Sequence, residues 1–157
     1  MERLLNDLNE QHSRIRMQLA KLEALPSADD WEKRELEFAK LKDVLLPHLS
    51  AEEKILFPHL VSDPSDRWQI NYYLEQHALI WKSSSELSER SKQAQNWGAG
   101  MRVMDTIIQN HLDSEQEQYP HMLTIIDEKN LEKVYQRFLQ EEIRFRKELQ
   151  NRKTMPW

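Results

Sequence analysis

The stretch His48-Leu49-Ser50-Ala51-Glu52, closing on Phe57-Pro58-His59, returns later in the chain as His111-Leu112-Asp113-Ser114-Glu115, closing on Tyr119-Pro120-His121. In both, a glutamate follows a histidine by four residues, and an aromatic-Pro-His triplet comes next. The interval from 48 to 111 equals that from 52 to 115, so the two segments are in step. On a helix, residues i and i+4 share a face one turn apart, about 6 Å along the axis. Each His-x-x-x-Glu therefore sets an imidazole beside a carboxylate. One such pair arises by chance on the order of once in a chain of this composition; two in step, with matching endings, do not.

Outward from these segments, each is preceded by a helical stretch with one central histidine, His12 before the first and His77 before the second. Leu4, Leu5, Leu8, His12, Ile15 and Leu19 recur at three- and four-residue steps, which predicts a first helix over about 2–25, ended by Pro26 and Ser27. Asp29 or Asp30 is the expected cap of a second helix reaching about Phe57, with Pro47 kinking or interrupting it and Pro58 closing it. Ser62-Asp63-Pro64-Ser65 reads as a turn. Asp66 is the expected cap of a third helix through Ile70, Tyr73, His77 and Ile80 to about Gln95, and Gly98-Ala99-Gly100 the next break. A fourth helix carries Met101, Met104, Ile108, His111 and Glu115 and ends or bends at Pro120. A last helix covers about 130–152. The expected fold is all-α: an up-down-up-down antiparallel four-helix bundle over about 2–127 with an additional C-terminal helix, in a single domain spanning 1–157.

Composition agrees. The 157 residues are 31% charged and 39% hydrophobic, with only 2 glycines. Leu, Glu, Lys, Gln and Arg, which lose little rotamer freedom in a helix, dominate, and no Asn-Gly or Asp-Gly hairpin turn is present. The net charge of −5 and the lack of a basic stripe argue against nucleic acid. No apolar run could span a bilayer. The acidic, amphipathic start MERLLNDLNEQ is unlike a signal peptide, so a cytoplasmic location is expected. With no cysteine, disulfides, thiolate zinc sites and iron–sulfur ligation are excluded.

Paired hairpins would bring His12, His48, His77 and His111 to one level, with Glu52 and Glu115 a turn away. Four nitrogens and two carboxylates exceed the needs of one tetrahedral zinc. They suit two ions about 3.5–4 Å apart with shared carboxylates. Mixed imidazole and carboxylate ligation favours iron, with manganese or zinc possible.

This pattern, a single His and a His-x-x-x-Glu in each half with an aromatic-proline after each pair, resembles the hemerythrin-like (HHE cation-binding) family over about residues 1–126. The resemblance implies a non-haem pair of iron ions, oxo- or hydroxo-bridged, inside a four-helix bundle. His12, His48, His77 and His111 would be terminal ligands, and Glu52 and Glu115 would bridge. The oxygen-carrying hemerythrins have a further histidine one turn after the third-helix histidine, where this chain has Trp81. Four histidines would make the two irons more alike, each with an open position. That looks like the branch linked to iron–sulfur repair and to nitric oxide or oxygen stress. The implied function is binding, sensing or responding to oxygen or nitric oxide, a small diatomic ligand. The alternatives are a di-iron redox or iron-donating protein and a metal-free helical interaction module.

The remaining candidates have plainer readings. His59 and His121 follow prolines at helix ends and suit a surface or capping role. Glu53 and Glu117 read as solvated, with support of a ligand as the alternative. Tyr73 reads as core, with a hydroxyl aimed at the metal pocket and bonding a bound ligand as the alternative; Trp81 reads as a pocket wall, and Met101 and Met104 as core filler. The last helix either covers the bundle or offers Tyr135, Phe138 and Phe145 to a partner, on which basis a homodimer is expected.

Overall fold

The computed structural model describes residues 1–25 and 28–154, and among them there are helices and turns but no strand. The expected stop at Pro26 and Ser27 lies outside the described residues. Helix α1 spans Glu2–Glu23, and a short 3-10 turn, Ala28–Asp30, leads into α2, Trp31–Ala51. A π-helical turn, Glu52–Leu56, continues α2 directly into α3, Phe57–Leu60. Helix α4 is Arg67–Glu89 and α5 is Gln95–Met122; a 3-10 turn, Leu123–Ile125, precedes α6, Glu128–Thr154.

Several boundaries differ from expectation for physical reasons. Asp30 and Asp66 stand at the N-cap positions of α2 and α4, but neither side chain makes the cap hydrogen bond. Pro47 lies within α2, and the irregular turn falls after it, at Glu52. Gly98 and Gly100 do not break the chain; both lie inside α5. A Cβ at Gly100 would meet Arg90 Nη1 at 2.8 Å and Leu87 Cδ2 at 3.0 Å, so this glycine serves the close approach of the end of α4. Helix α4 correspondingly stops at Glu89 rather than near Gln95.

Helix α1 packs against α2 and α5, α4 packs against α5 and α2, and α6 lies along α2 and the π turn. The core forms two apolar clusters. One contains Leu4, Leu8, Leu56, Phe57, Ile70, Tyr73, Tyr119 and Met122; the other contains Ile15, Leu19, Leu41, Leu45, Ile80, Met104 and Ile108. His12 stands between Leu8 and Ile15, and His77 between Tyr73 and Ile80, where α1 and α4 pass from the first cluster to the second. His48 and Glu52, and His111 and Glu115, stand where α2 and α5 pass from the second to the first. A thin polar layer thus separates two apolar slabs.

Helix α6 belongs to both slabs. Leu131, Val134, Tyr135 and Phe138 are buried in the first, and Phe145 and Leu149 pack against the second. Burying a side chain such as Phe138 contributes about 1.5–3 kcal/mol. Of the two readings of this helix, covering the bundle is the one the structure takes. The aromatic stripe faces inward, so the surface on which a homodimer was expected is occupied by the chain itself. No helix among the described residues is long and apolar enough to cross a membrane.

Candidate metal centre

The polar layer draws one residue from each of α1, α2 and α4, one from the π turn that continues α2, and two from α5. His12, His48, Glu52, His77, His111 and Glu115 all converge there, none more than 2% exposed. They fall into two overlapping groups of four, His12, His48, Glu52 and Glu115, and Glu52, His77, His111 and Glu115, with ligand-type atoms within 4.8 Å of one another. Both glutamates belong to both groups. Glu52 sets one oxygen 3.3 Å from His48 Nε2 and the other 3.4 Å from His77 Nε2. Glu115 does the same with His111 Nε2 at 3.2 Å and His12 Nε2 at 3.4 Å. Each carboxylate therefore spans from one group to the other.

The outer face of the layer fixes the imidazoles. His48 Nδ1 donates to Gln11 Oε1 at 2.8 Å, His111 Nδ1 to Gln76 Oε1 at 3.0 Å, and His77 Nδ1 to Glu53 Oε1 at 2.9 Å. A carboxylate can only accept, so the His77 proton on Nδ1 is unambiguous. With Nδ1 protonated, His48 Nε2 is free to turn a lone pair inward, as metal-bound histidines require, whereas His77 Nε2 and His111 Nε2 lie 2.9 Å apart and share a proton that a bound cation would displace. Glu53 also accepts from Trp81 Nε1 at 2.8 Å, so Trp81 is tied to the site through a hydrogen bond as well as walling it.

The electrostatics are divided. Burial pushes His48 down to about 4, against the pull of Glu52. Burial works on His77 in the same direction, but hydrogen bonds to Glu52 and Glu53 outweigh it and lift the group to about 9. Glu115 resists burial because His111 and His12 hold it well below the ordinary carboxylate range. Tyr119 lies 2.6 Å from both Glu52 Oε1 and Glu115 Oε1 and has one proton to share between them. Burial and both carboxylates raise that phenol well above its usual value.

Whether these residues fit a cation is tested by what they leave unsatisfied. His12 Nε2, His48 Nε2, Glu52 Oε2 and Glu115 Oε2 are buried without a hydrogen-bond partner. A buried polar atom left bare costs about 1–3 kcal/mol. Here four electron-pair donors share one enclosed layer, and a positive ion is the partner such a set lacks. The donor set is imidazole and carboxylate, which fits iron, manganese or zinc.

Several contributors escape the His-x-x-x-Glu reading. Glu53 is half-buried, not solvated, because the π turn brings it to the rim beside His77. Gln11 and Gln76 hold the two His-x-x-x-Glu histidines of the neighbouring helices. A repeat does announce them: Glu10-Gln11-His12-x-x-Ile15 and Glu75-Gln76-His77-x-x-Ile80 are the same motif. Tyr119 was visible only as the aromatic of its triplet; its counterpart Phe57 has no hydroxyl and packs 5.3 Å from the His77 ring. Tyr73 is core, its hydroxyl 3.2 Å from Ser114 Oγ, and burial pushes it up to about 12. His59, His121 and Glu117 stay outside the layer, His121 and Glu117 exposed.

Comparison with known families agrees with this geometry. No curated protein and no solved structure gives a significant match. The family model described as the hemerythrin HHE cation-binding domain matches residues 3–123, which include all six converging residues. A helical bundle with a buried histidine and glutamate layer, matched over most of its length by that family, belongs to the hemerythrin HHE cation-binding domain family.

Proposed function

We propose that the chain is a non-haem di-iron protein that binds or senses a small diatomic molecule, oxygen or nitric oxide. In this reading His12 and His48 would hold one ion and His77 and His111 the other, with Glu52 and Glu115 shared between them. The carrying observation is the pair of overlapping four-residue groups with shared carboxylates and bare inward atoms. The bundle is read as up-down-up-down, because each of its helices crosses between the apolar slabs in the opposite sense to the one before. The whole chain is read as one domain acting in the cytoplasm.

When bound, two irons supply redox-active Lewis-acid positions; the chain supplies the surroundings. Two imidazoles and the two shared carboxylates would hold each ion. Phe57 lies against His77, and Phe138 stands 6.3 Å from the His48 ring, so the walls are aromatic. The six converging residues are no more than 2% exposed, so bulk water is kept from the layer. Tyr119 keeps the two carboxylates at one spacing.

Elemental analysis of the purified protein with an absorption spectrum tests the reading. About two irons per chain, with bands that change on adding oxygen or nitric oxide, are expected. A chain that takes up no iron would overturn it, and an iron-loaded chain blind to both gases would remove the ligand assignment. Tyr119, a buried phenol touching both carboxylates, favours a second reading as a di-iron redox enzyme. Peroxide turnover that is lost in Tyr119→Phe would select it.

A further inference from the structure

Helix α6 lies outside the matched residues 3–123, yet it reaches the outer partners of two imidazoles. Glu142 Oε2 accepts from Gln11 Nε2 at 3.2 Å, and Gln11 Oε1 in turn accepts from His48 Nδ1. One turn further on, Phe145 packs edge-on against Trp81 with ring centroids 5.6 Å apart, and Trp81 donates to the same Glu53 oxygen that holds His77 Nδ1. The two chains of contact are different in kind, one polar and one aromatic, and they end on different halves of the centre. Glu142 and Phe145 stand three residues apart on one helix face, so a single element addresses both. The helix is anchored independently: Glu141 accepts from Ser50 Oγ at 2.8 Å and from Lys54 Nζ at 3.0 Å.

We infer that α6 is the positioning element of the centre, with Glu142 orienting His48 through Gln11 and Phe145 orienting His77 through Trp81 and Glu53. An amide is ambiguous: without Glu142, Gln11 can turn its NH2 towards His48 and cease to accept from Nδ1. A glutamine that must donate to Glu142 has only its oxygen left for His48. The imidazole is thereby held as the Nδ1–H tautomer, with Nε2 bare. Phe145 acts by shape, keeping the Trp81 indole where its N–H meets Glu53. Neither residue touches a ligand-type atom of the centre. The inference deepens the metal reading and rests on it.

The test uses the full chain with Glu142→Leu, Glu142→Gln and Phe145→Leu. In the metal-free protein, imidazole NMR should show the His48 Nδ1–H signal displaced by Glu142→Leu and the His77 signal unmoved, with the reverse in Phe145→Leu. Glu142→Gln retains an oxygen that can accept from Gln11 and should restore the His48 signal. In the iron-loaded protein, a chelator should remove one of the two ions about 10–100-fold faster from Glu142→Leu than from wild type. Unchanged imidazole signals in both leucine variants would overturn the inference, as would equal displacement of both signals by either variant. A wild-type chain that takes up no iron but shows the displacements would sink the metal reading and leave the positioning intact.

Discussion

The two halves of the layer share a plan and differ in how the single histidines are held. Gln11 holds His48 and Gln76 holds His111, so the His-x-x-x-Glu histidines are treated alike. His77 is backed by the carboxylate of Glu53, whereas His12 Nδ1 is buried with no partner. In step with Glu53 in the second half stands Gln116, which is exposed. The cause is backbone: Glu52–Leu56 is a π turn, while α5 runs on as α-helix through Glu115 to Met122. A wider turn at Glu52 lets two successive carboxylates serve the site, one facing in and one at the rim. At Glu115 only one can. A carboxylate behind an imidazole raises its basicity, so the second half is built as the stronger donor.

The largest effect should come from erasing what the halves have in common. Glu52→Ala removes a donor from both groups, and iron content should fall from about two per chain to below one; His12→Ala should cost only one ion. Next, Glu53→Gln should weaken the His77-side ion by about 10–100-fold in chelator competition. Gln116→Ala, its counterpart in step, should change nothing. Equal effects of the two would erase the asymmetry. Tyr119→Phe strips the shared proton from both carboxylates and should lower metal-free stability by about 1–3 kcal/mol, read from chemical denaturation; Phe57→Leu, at the matching place in the other half, removes no hydrogen bond.

The smallest effect concerns the first half through Glu142. Burial lifts this carboxyl to about 7, with Glu52 and Asp7 adding to the rise and Arg146 and Gln11 opposing it. A raised acid contributes stability that is complete below its unfolded value near 4.5 and fades as pH climbs through about 7. Corrected amide exchange in α6 of the metal-free chain should therefore quicken across that window, and Glu142→Gln should flatten the change. Glu141 behaves oppositely. Arg144 leads Lys54 and Ser50 in holding it down to about 2, so it keeps the helix docked throughout.

The six converging residues were legible because a 3.6-residue period and a His-x-x-x-Glu repeat are both short-range signals. Helix identity was legible for the same reason. The π turn was not, since its effect is to depart from the period used to find helices, and which of the two readings of Glu53 holds depends on that turn. Gln11 and Gln76 were in plain view as a repeated Glu-Gln-His-x-x-Ile, but their role depends on which helices become neighbours. Gly100 looked like a break because glycine usually is one; only the packing of Leu87 and Arg90 against it shows that the need was for space. The inward turn of Tyr135 and Phe138 likewise depended on where α6 lies.

The polar layer between the two apolar slabs also limits how the helices can slide. Moving any one of α1, α2, α4 or α5 along its axis by a turn, about 5.4 Å, would carry an imidazole or a carboxylate into hydrocarbon and draw an aliphatic or aromatic side chain into the layer. Either exchange strands a polar group that has no partner there. Leucine-rich helices otherwise fit together in several nearly equivalent alignments, and these histidines admit one.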